Sequence, residues 1–315
     1  MARTLAVLMD AIAKIKIAKD TTFALLLEAQ RRGYRLLYMT QGDLALRSGI
    51  PFARLSVLRV RDDPTGWYEL DEPAWMDLRE VDVVLARKDP PVDEQFIHDT
   101  QILQRAHDAG VLVVNNPQGL RDANEKLYAQ HFPQCCAPTL VARDAAELKR
   151  FAAEHEAIVL KPLNGMGGAG IFLSRHGDRN LNVILETLTR HGTDLAMAQA
   201  YIPEISAGDK RILMVDGEAV PYALARIPQG DDFRGNLAAG GKGVGVPLSE
   251  RDRWIASEVG PELKRRGMLF VGLDVIGDFL TEVNVTSPTC LRELEAQFGL
   301  AIAAQLFDVM ETRIA

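Results

Sequence analysis

The chain opens on Leu5-Ala6-Val7-Leu8-Met9, an unbroken apolar run closed by Asp10, and its shortness predicts a buried strand over 5–10. Asp20 then precedes Phe23, Leu26, Leu27 and Gln30, a helical spacing that Asp20 is expected to cap and Gly33 to stop. Strand-like runs return over 34–40, 81–85 and 111–114, with a helix predicted near 92–109. Strands alternating with helices imply a parallel sheet, so the first 120 or so residues read as a small α/β unit. In the next stretch, Asp144 and Glu147 have capping-box spacing at the start of a helix running to near His155. Strand triplets at 158–160 and 171–173 flank a glycine-rich segment, followed by a helix near 180–191 and a strand over 195–199. A third unit starts at Tyr201, where Asp216-Gly217 between two apolar runs signals a type I′ hairpin. Residues 227–247 are rich in glycine and keep no sustained period, which predicts a long loop suited to act as a mobile lid. Ser249 is placed to cap a helix ending near Arg266, and a last hairpin turns at Gly277-Asp278. No internal repeat or low-complexity tail interrupts this order.

Length and charge narrow the classes. A chain of 315 residues exceeds what one core usually serves, so two or three units are expected. A net charge of −7 argues against non-specific nucleic-acid binding, which needs a basic face. No apolar run approaches the length of about 18 residues that spans a bilayer, so no membrane partner is expected. Asp10 ends the first apolar stretch and no small-residue cleavage site follows, which favours a first strand over a secretion signal. Adjacent Cys135 and Cys136 fit no metal-ligand spacing, and with Cys290 they make an odd total that suits a reducing cytoplasm.

Candidate chemistry gathers at two places. Gly165, Gly167 and Gly170 match the G-x-G-x-x-G dinucleotide pattern, but that fingerprint needs a helix to follow, and Ile171-Phe172-Leu173 reads as a strand. A strand–glycine loop–strand unit is instead a flap whose backbone N–H groups can close over phosphates. In the last hairpin Asp274 falls nearly opposite Glu282, and Glu282 and Asn284, two apart, share a face. Two carboxylates buried among apolar strand residues would cost several kcal/mol uncompensated, and a hard cation such as Mg²⁺ supplies the compensation. The alternative places Asp274 or Glu282 on a solvated face. Lys126, Lys161, Arg211 and Arg226 are singly ordinary surface charges, yet as a set around the flap and carboxylates they suggest a nucleoside triphosphate site. The P-loop pattern and the kinase H-R-D and D-F-G motifs do not occur.

Longer blocks carry a resemblance. "NEKLYA", "VLKPLNGMGGAGIF", "AQAYIPEISAGDKRILMVDGEAVPYALARIPQ", "RGNLAAGG" and "FVGLDVIGDFLTEVNVTSPTCLRE" closely resemble the bacterial glutathione synthetase family of the ATP-grasp superfamily. The opening segment and "LARKDPPVDEQFI" extend the likeness over nearly the whole chain. The resemblance implies an α/β and α+β fold: a Rossmann-like domain over 1–122, a central ATP-grasp subdomain with the flap over 123–200, and a C-terminal subdomain over 201–315. It implies that Lys126, Lys161, Gly165, Gly167 and Gly168 hold the nucleotide phosphates, that Gln199, Tyr201 and Ile202 line the adenine pocket, and that Asp209 takes the ribose hydroxyls. Asp274, Glu282 and Asn284 match the family's Mg²⁺ ligands, with Mn²⁺ as an alternative, and Arg211 and Arg226 would neutralise the transferring phosphoryl group. Arg87, Asn236, Ser287 and Thr289 are the implied substrate contacts, Arg87 for a dipeptide carboxylate and the last two for glycine. Arg234 and Lys242 would reach the intermediate as the lid closes, or face solvent. Asn164 departs from the pattern, standing where an acidic residue is expected. The implied reaction joins γ-glutamylcysteine to glycine with ATP as co-substrate, in a cytoplasmic homo-tetramer. Two rivals stay open: a ligase of the D-alanine–D-alanine or glutamate-adding type, and a non-catalytic ATP-binding regulator, which should lack an intact metal set.

Overall fold

A computed structural model describes residues 3–165, 167–229 and 242–314. The N-terminal strands are β1 (Thr4–Met9), β2 (Arg35–Met39), β3 (Leu44–Arg47), β4 (Ile50–Val60), β5 (Tyr68–Leu70), β6 (Ala74–Asp77), β7 (Val83–Arg87) and β8 (Leu112–Val114). Helices α1 (Thr21–Arg31), α2 (Glu94–Asp108) and α3 (Pro117–Asp122) connect them. The sheet runs β3-β4-β2-β1-β7-β8, with β5 and β6 also paired to β4. β2, β1, β7 and β8 are mutually parallel, whereas β4 is antiparallel to β2, β3, β5 and β6. The all-parallel expectation is therefore corrected to a mixed sheet. The antiparallel strands over 44–77 carry no legible signal, because exposed Arg54 and Arg59 interrupt β4 and the short β5 and β6 are largely exposed.

Local chemistry sets the helix starts as the sequence predicts. Asp20 accepts from the Phe23 amide at 2.7 Å at the head of α1. Asp144 accepts from the Ala146 and Glu147 amides, and Ser249 and Asp252 form a reciprocal capping box.

The second sheet joins β9 (Thr139–Ala142), β10 (Ala157–Pro162), β11 (Phe172–Arg175) and β12 (Ala196–Ala200), antiparallel in the order β11-β10-β12-β9. Helices α4 (Ala145–Ala153) and α5 (Leu181–Thr189) pack on it, closing a core of its own around Leu148, Leu160 and Leu185. The glycine flap links β10 to β11, so it is a hairpin and not a strand-to-helix turn. Gly167, Gly168 and Gly170 all hold positive φ, which any side chain there would strain.

The third sheet comprises β13 (Asp209–Val215), β14 (Glu218–Ile227), β15 (Lys242–Pro247), β16 (Phe270–Ile276) and β17 (Phe279–Asn284), antiparallel in the order β15-β14-β13-β16-β17. Helices α6 (Glu250–Arg265), α7 (Leu291–Phe298) and α8 (Ile302–Glu311) complete it. Asp216 and Gly217 lie at φ 51° and 84°, the pair of positive values a type I′ turn requires. The predicted loop over 227–247 is corrected at its end, where 242–247 form an edge strand on β14 with Lys242 exposed. Glycines hid that strand. A Cβ on Gly245 would come within 2.2 Å of Phe298, whose ring stacks on Tyr222 at 3.8 Å, so the close approach of α7 excludes a side chain there. Residues 230–241, with Arg234 and Asn236, lie outside the described residues, and so does that part of the lid reading.

The first and third sheets share continuous cores, while the second is packed separately. Asn115, just beyond β8, fastens the two: its amide donates to the carbonyls of Phe270 and Val285 at 2.7 Å each and accepts from the Phe270 amide at 2.9 Å. The last hairpin is thereby held against the N-terminal unit, facing the separately packed flap sheet.

Candidate active site

Two adjoining cavities lie between the second and third sheets, sharing Ile171 and Glu282 in their walls. One is lined by the flap, Lys126, Arg211, Arg226 and Asn284; the other by Val159, Lys161, Gln199, Tyr201, Ile202 and Asp209. Strand register delivers the acidic groups. Asp274 is the direct partner of Glu282, and Asn284 pairs with Gly272, two residues back on the same face. The solvated-face alternative fails for Asp274, which is 3% exposed.

Asp274 is held by two arginines. Arg211 donates to both of its carboxylate oxygens, one at 2.9 Å, and Arg226 reaches it at 2.8 Å. Burial pushes this carboxyl up, but Arg211 and Arg226 outweigh burial and hold it well below the usual range. Arg226 also pairs with Asp209. There burial wins over Arg226, and Asp274 and Glu282 add repulsion, so the Asp209 carboxyl is pushed up to about 7. Among the described residues its Oδ1 is buried with no hydrogen-bond partner.

Lys126, 4% exposed, donates to the flap carbonyl of Gly165 at 2.6 Å and stands 3.4 Å from Glu282. Lys161, 5% exposed, faces Gln199 Oε1 at 3.5 Å, and burial pulls its ammonium pKa down despite the Glu282 charge. Asn164 accepts from the Asn124 amide at 3.0 Å, tying the flap base to the segment that carries Lys126. Ser287 and Thr289 line the first cavity.

Arg87 is the predicted residue not brought in. Its guanidinium donates to Thr22 Oγ1 at 3.1 Å and to the Pro288 carbonyl at 2.9 Å, and it lines a separate small cavity. It anchors the 286–289 turn from behind, since the arginine ends β7 on the side facing α1. Glu125 was missed. Its carboxylate accepts from the Thr286 hydroxyl at 2.8 Å, and it lines the first cavity beside Lys126. Burial and the Glu282 charge push its pKa up. The available signal was an acidic residue next to Lys126 in a segment without helical or strand period.

Among the described residues no three His, Cys, Asp or Glu side chains converge as a metal centre.

A flap sheet and an acidic hairpin sheet closing on a cleft with buried lysines and arginines define an ATP-grasp enzyme, an ATP-dependent ligase. The prokaryotic glutathione synthetase N-terminal domain model matches residues 4–121, and the prokaryotic glutathione synthetase ATP-grasp domain model matches 125–299. The chain belongs to the prokaryotic glutathione synthetase family. It is 66% identical over 311 residues to the glutathione synthetase of Xanthomonas axonopodis pv. citri, covering 99% of this chain and 98% of that protein. Identity to the Pseudomonas aeruginosa glutathione synthetase is 56% over 315 residues, covering 100% and 99%. Among solved structures, the D-cycloserine synthetase DcsG has a TM-score of 0.67 at 16% identity, covering 99% of this chain and 100% of that one. The D-alanyl-alanine synthetase A of Vibrio cholerae has a TM-score of 0.58 at 11% identity, covering 100% and 99%. These two likenesses bear on the fold alone.

Proposed function

We propose that the paired cavities join γ-glutamylcysteine to glycine through a cysteinyl acyl phosphate, converting ATP to ADP and phosphate. The observation that carries this reading is the meeting of Lys126, the glycine flap, Arg211, Arg226, Glu282 and Asn284 around one cavity. In this reading adenine lies in the second cavity, beside Gln199, Tyr201 and Ile202. A ribose hydroxyl donates to Asp209 Oδ1, a buried acceptor without a partner among the described residues. Lys126, Lys161 and the flap residues Gly165, Gly167 and Gly168 hold the phosphates.

The oxygen donors of Asp274, Glu282 and Asn284 suit a hard divalent cation, Mg²⁺ or alternatively Mn²⁺. When bound, such an ion neutralises phosphate charge and lowers the barrier to phosphoryl transfer. The chain's own residues do the rest. Arg211 and Arg226 supply positive charge for the transferring phosphoryl group. The dipeptide carboxylate oxygen attacks the γ-phosphorus and ADP leaves. Glycine, held at Ser287 and Thr289, attacks the acyl carbon through its nitrogen; phosphate leaves and one proton is released. Positioning provides most of the rate, and exclusion of water protects the acyl phosphate. Asn236, outside the described residues, stays a candidate substrate contact.

The domain division we propose follows the three sheets, at 1–122, 123–200 and 201–315, with Tyr128, Ala129 and Phe132 lending their side chains to the core of the third. We also assign a cytoplasmic homo-tetramer, for which light scattering and cell fractionation are the checks. No described helix is long and apolar enough to cross a membrane.

Glu282→Gln tests the site. A neutral amide is a poor ligand for a hard cation, so activity should fall about a thousandfold or more with the fold intact. Activity near that of the parent in a well-folded variant would remove Glu282 from the chemistry.

A further inference from the structure

The first cavity is built to take anions, yet among the described residues two carboxylates in its wall make no ion pair: Asp89, which is exposed, and Glu125, which is half-buried. Lys126, the residue after Glu125, turns its ammonium to Glu282 and the Gly165 carbonyl. Arg211 and Arg226 pair with Asp274 and Asp209 and, beyond those carboxylates, serve the transferring phosphoryl group. Among the described residues, Glu125 makes no ion pair. It is nonetheless fixed in place: its backbone carbonyl accepts from the Val283 amide at 2.8 Å, and its Oε1 accepts from Thr286 at 2.8 Å. A half-buried carboxylate beside a phosphate site raises the energy of every anion bound there unless a cation comes with the substrates. Two substrate groups carry such a charge, the glycine ammonium and the glutamyl ammonium. Only the glycine nitrogen must come within bonding distance of the acyl carbon. Thr286, which orients Glu125, directly precedes Ser287 in the turn assigned to glycine.

We infer that Glu125, held by Thr286 in the wall of the phosphate cavity, docks the ammonium group of the incoming amino acid and so selects and orients the acceptor. This rests on the ligase reading above. The carboxylate and the Ser287–Thr289 turn then grip opposite ends of glycine. A docked ammonium also offsets the negative charge that Glu125 brings near the acyl phosphate.

The test separates acceptor docking from acyl phosphate formation. Hydroxylamine is uncharged at neutral pH and intercepts acyl phosphates: its nitrogen attacks the acyl carbon, phosphate leaves, and a hydroxamate forms with loss of one proton. Glu125→Gln keeps the shape of the side chain and the oxygen that accepts from Thr286, and removes the charge. The KM for glycine should rise about 10- to 100-fold, the scale of a charge-assisted hydrogen bond, while the KM values for ATP and dipeptide move less than about twofold. Hydroxamate formation should stay within about twofold of the parent enzyme, a result that a merely structural role would not give. An unchanged glycine KM overturns the inference. So does a rise confined to the dipeptide KM, which would assign Glu125 to the glutamyl ammonium, or an equal loss of hydroxamate formation. If Glu125→Gln does not fold, Glu125→Asp, with the charge withdrawn by one methylene, must raise the glycine KM alone. A parent enzyme that makes hydroxamate but no tripeptide would instead sink the ligase reading, leaving a distinct signature.

Discussion

Arg226 bridges Asp209 and Asp274, and the two carboxylates respond in opposite directions. Asp274 has a second arginine and stays ionised, whereas Asp209 shares its arginine and is pushed up to about 7. The sign of the stability effect follows. Between the ordinary value of 3.8 and about 7, the folded chain keeps a proton on Asp209 that the unfolded chain has released. Its contribution is therefore full below 3.8 and declines as pH rises through about 7. Asp209→Asn cannot titrate, so urea unfolding should find the variant gaining on the parent chain between about pH 5 and about pH 8. A stability difference that is the same at both pH values would contradict the raised pKa. Register and chemistry made Asp274, Glu282 and Asn284 legible in the sequence, because a period of two and a turn at Gly277-Asp278 fix which side chains meet. The placement of Arg87 was not legible, since nothing in a strand-end arginine tells whether it faces the cleft or braces the turn behind it, as its bond to the Pro288 carbonyl does here.

At the scale of elements, the acidic hairpin of β16 and β17 owes its place to Asn115 as much as to its own ladder. Three buried hydrogen bonds run between that one side chain and the backbone of Phe270 and Val285. Asn115→Ala should cost about 3 kcal/mol, because it strands two carbonyls and an amide away from water. Thermal or urea unfolding measures this, and a loss below about 0.5 kcal/mol would mean that the hairpin holds its position without the N-terminal unit. Helix starts were readable because Asp20, Asp144 and Ser249 act on amides two or three residues away. The edge strands were not. β15 is a strand because β14 pairs with it and α7 covers it, and its glycines record that contact with α7, which lies some 50 residues later in the chain.

For the whole molecule, the decisive arrangement is a separately packed flap sheet facing a hairpin that is fused to the N-terminal core. Such a division lets the flap approach or leave the phosphates without disturbing the residues that hold Asp274, Glu282 and Asn284. The order of the units was legible from the alternation of strands and helices, and their packing partners were not, because shared cores depend on contacts hundreds of residues apart. This cleft couples ATP cleavage to the joining of two particular substrates. Phosphate release with Mg-ATP, γ-glutamylcysteine and glycine, each omitted in turn, tests it most directly. Full release should need all three, should fall to a slow leak from acyl phosphate hydrolysis without glycine, and should vanish without the dipeptide. Equal release with D-alanine as the sole amino acid, or release indifferent to the dipeptide, would contradict the account.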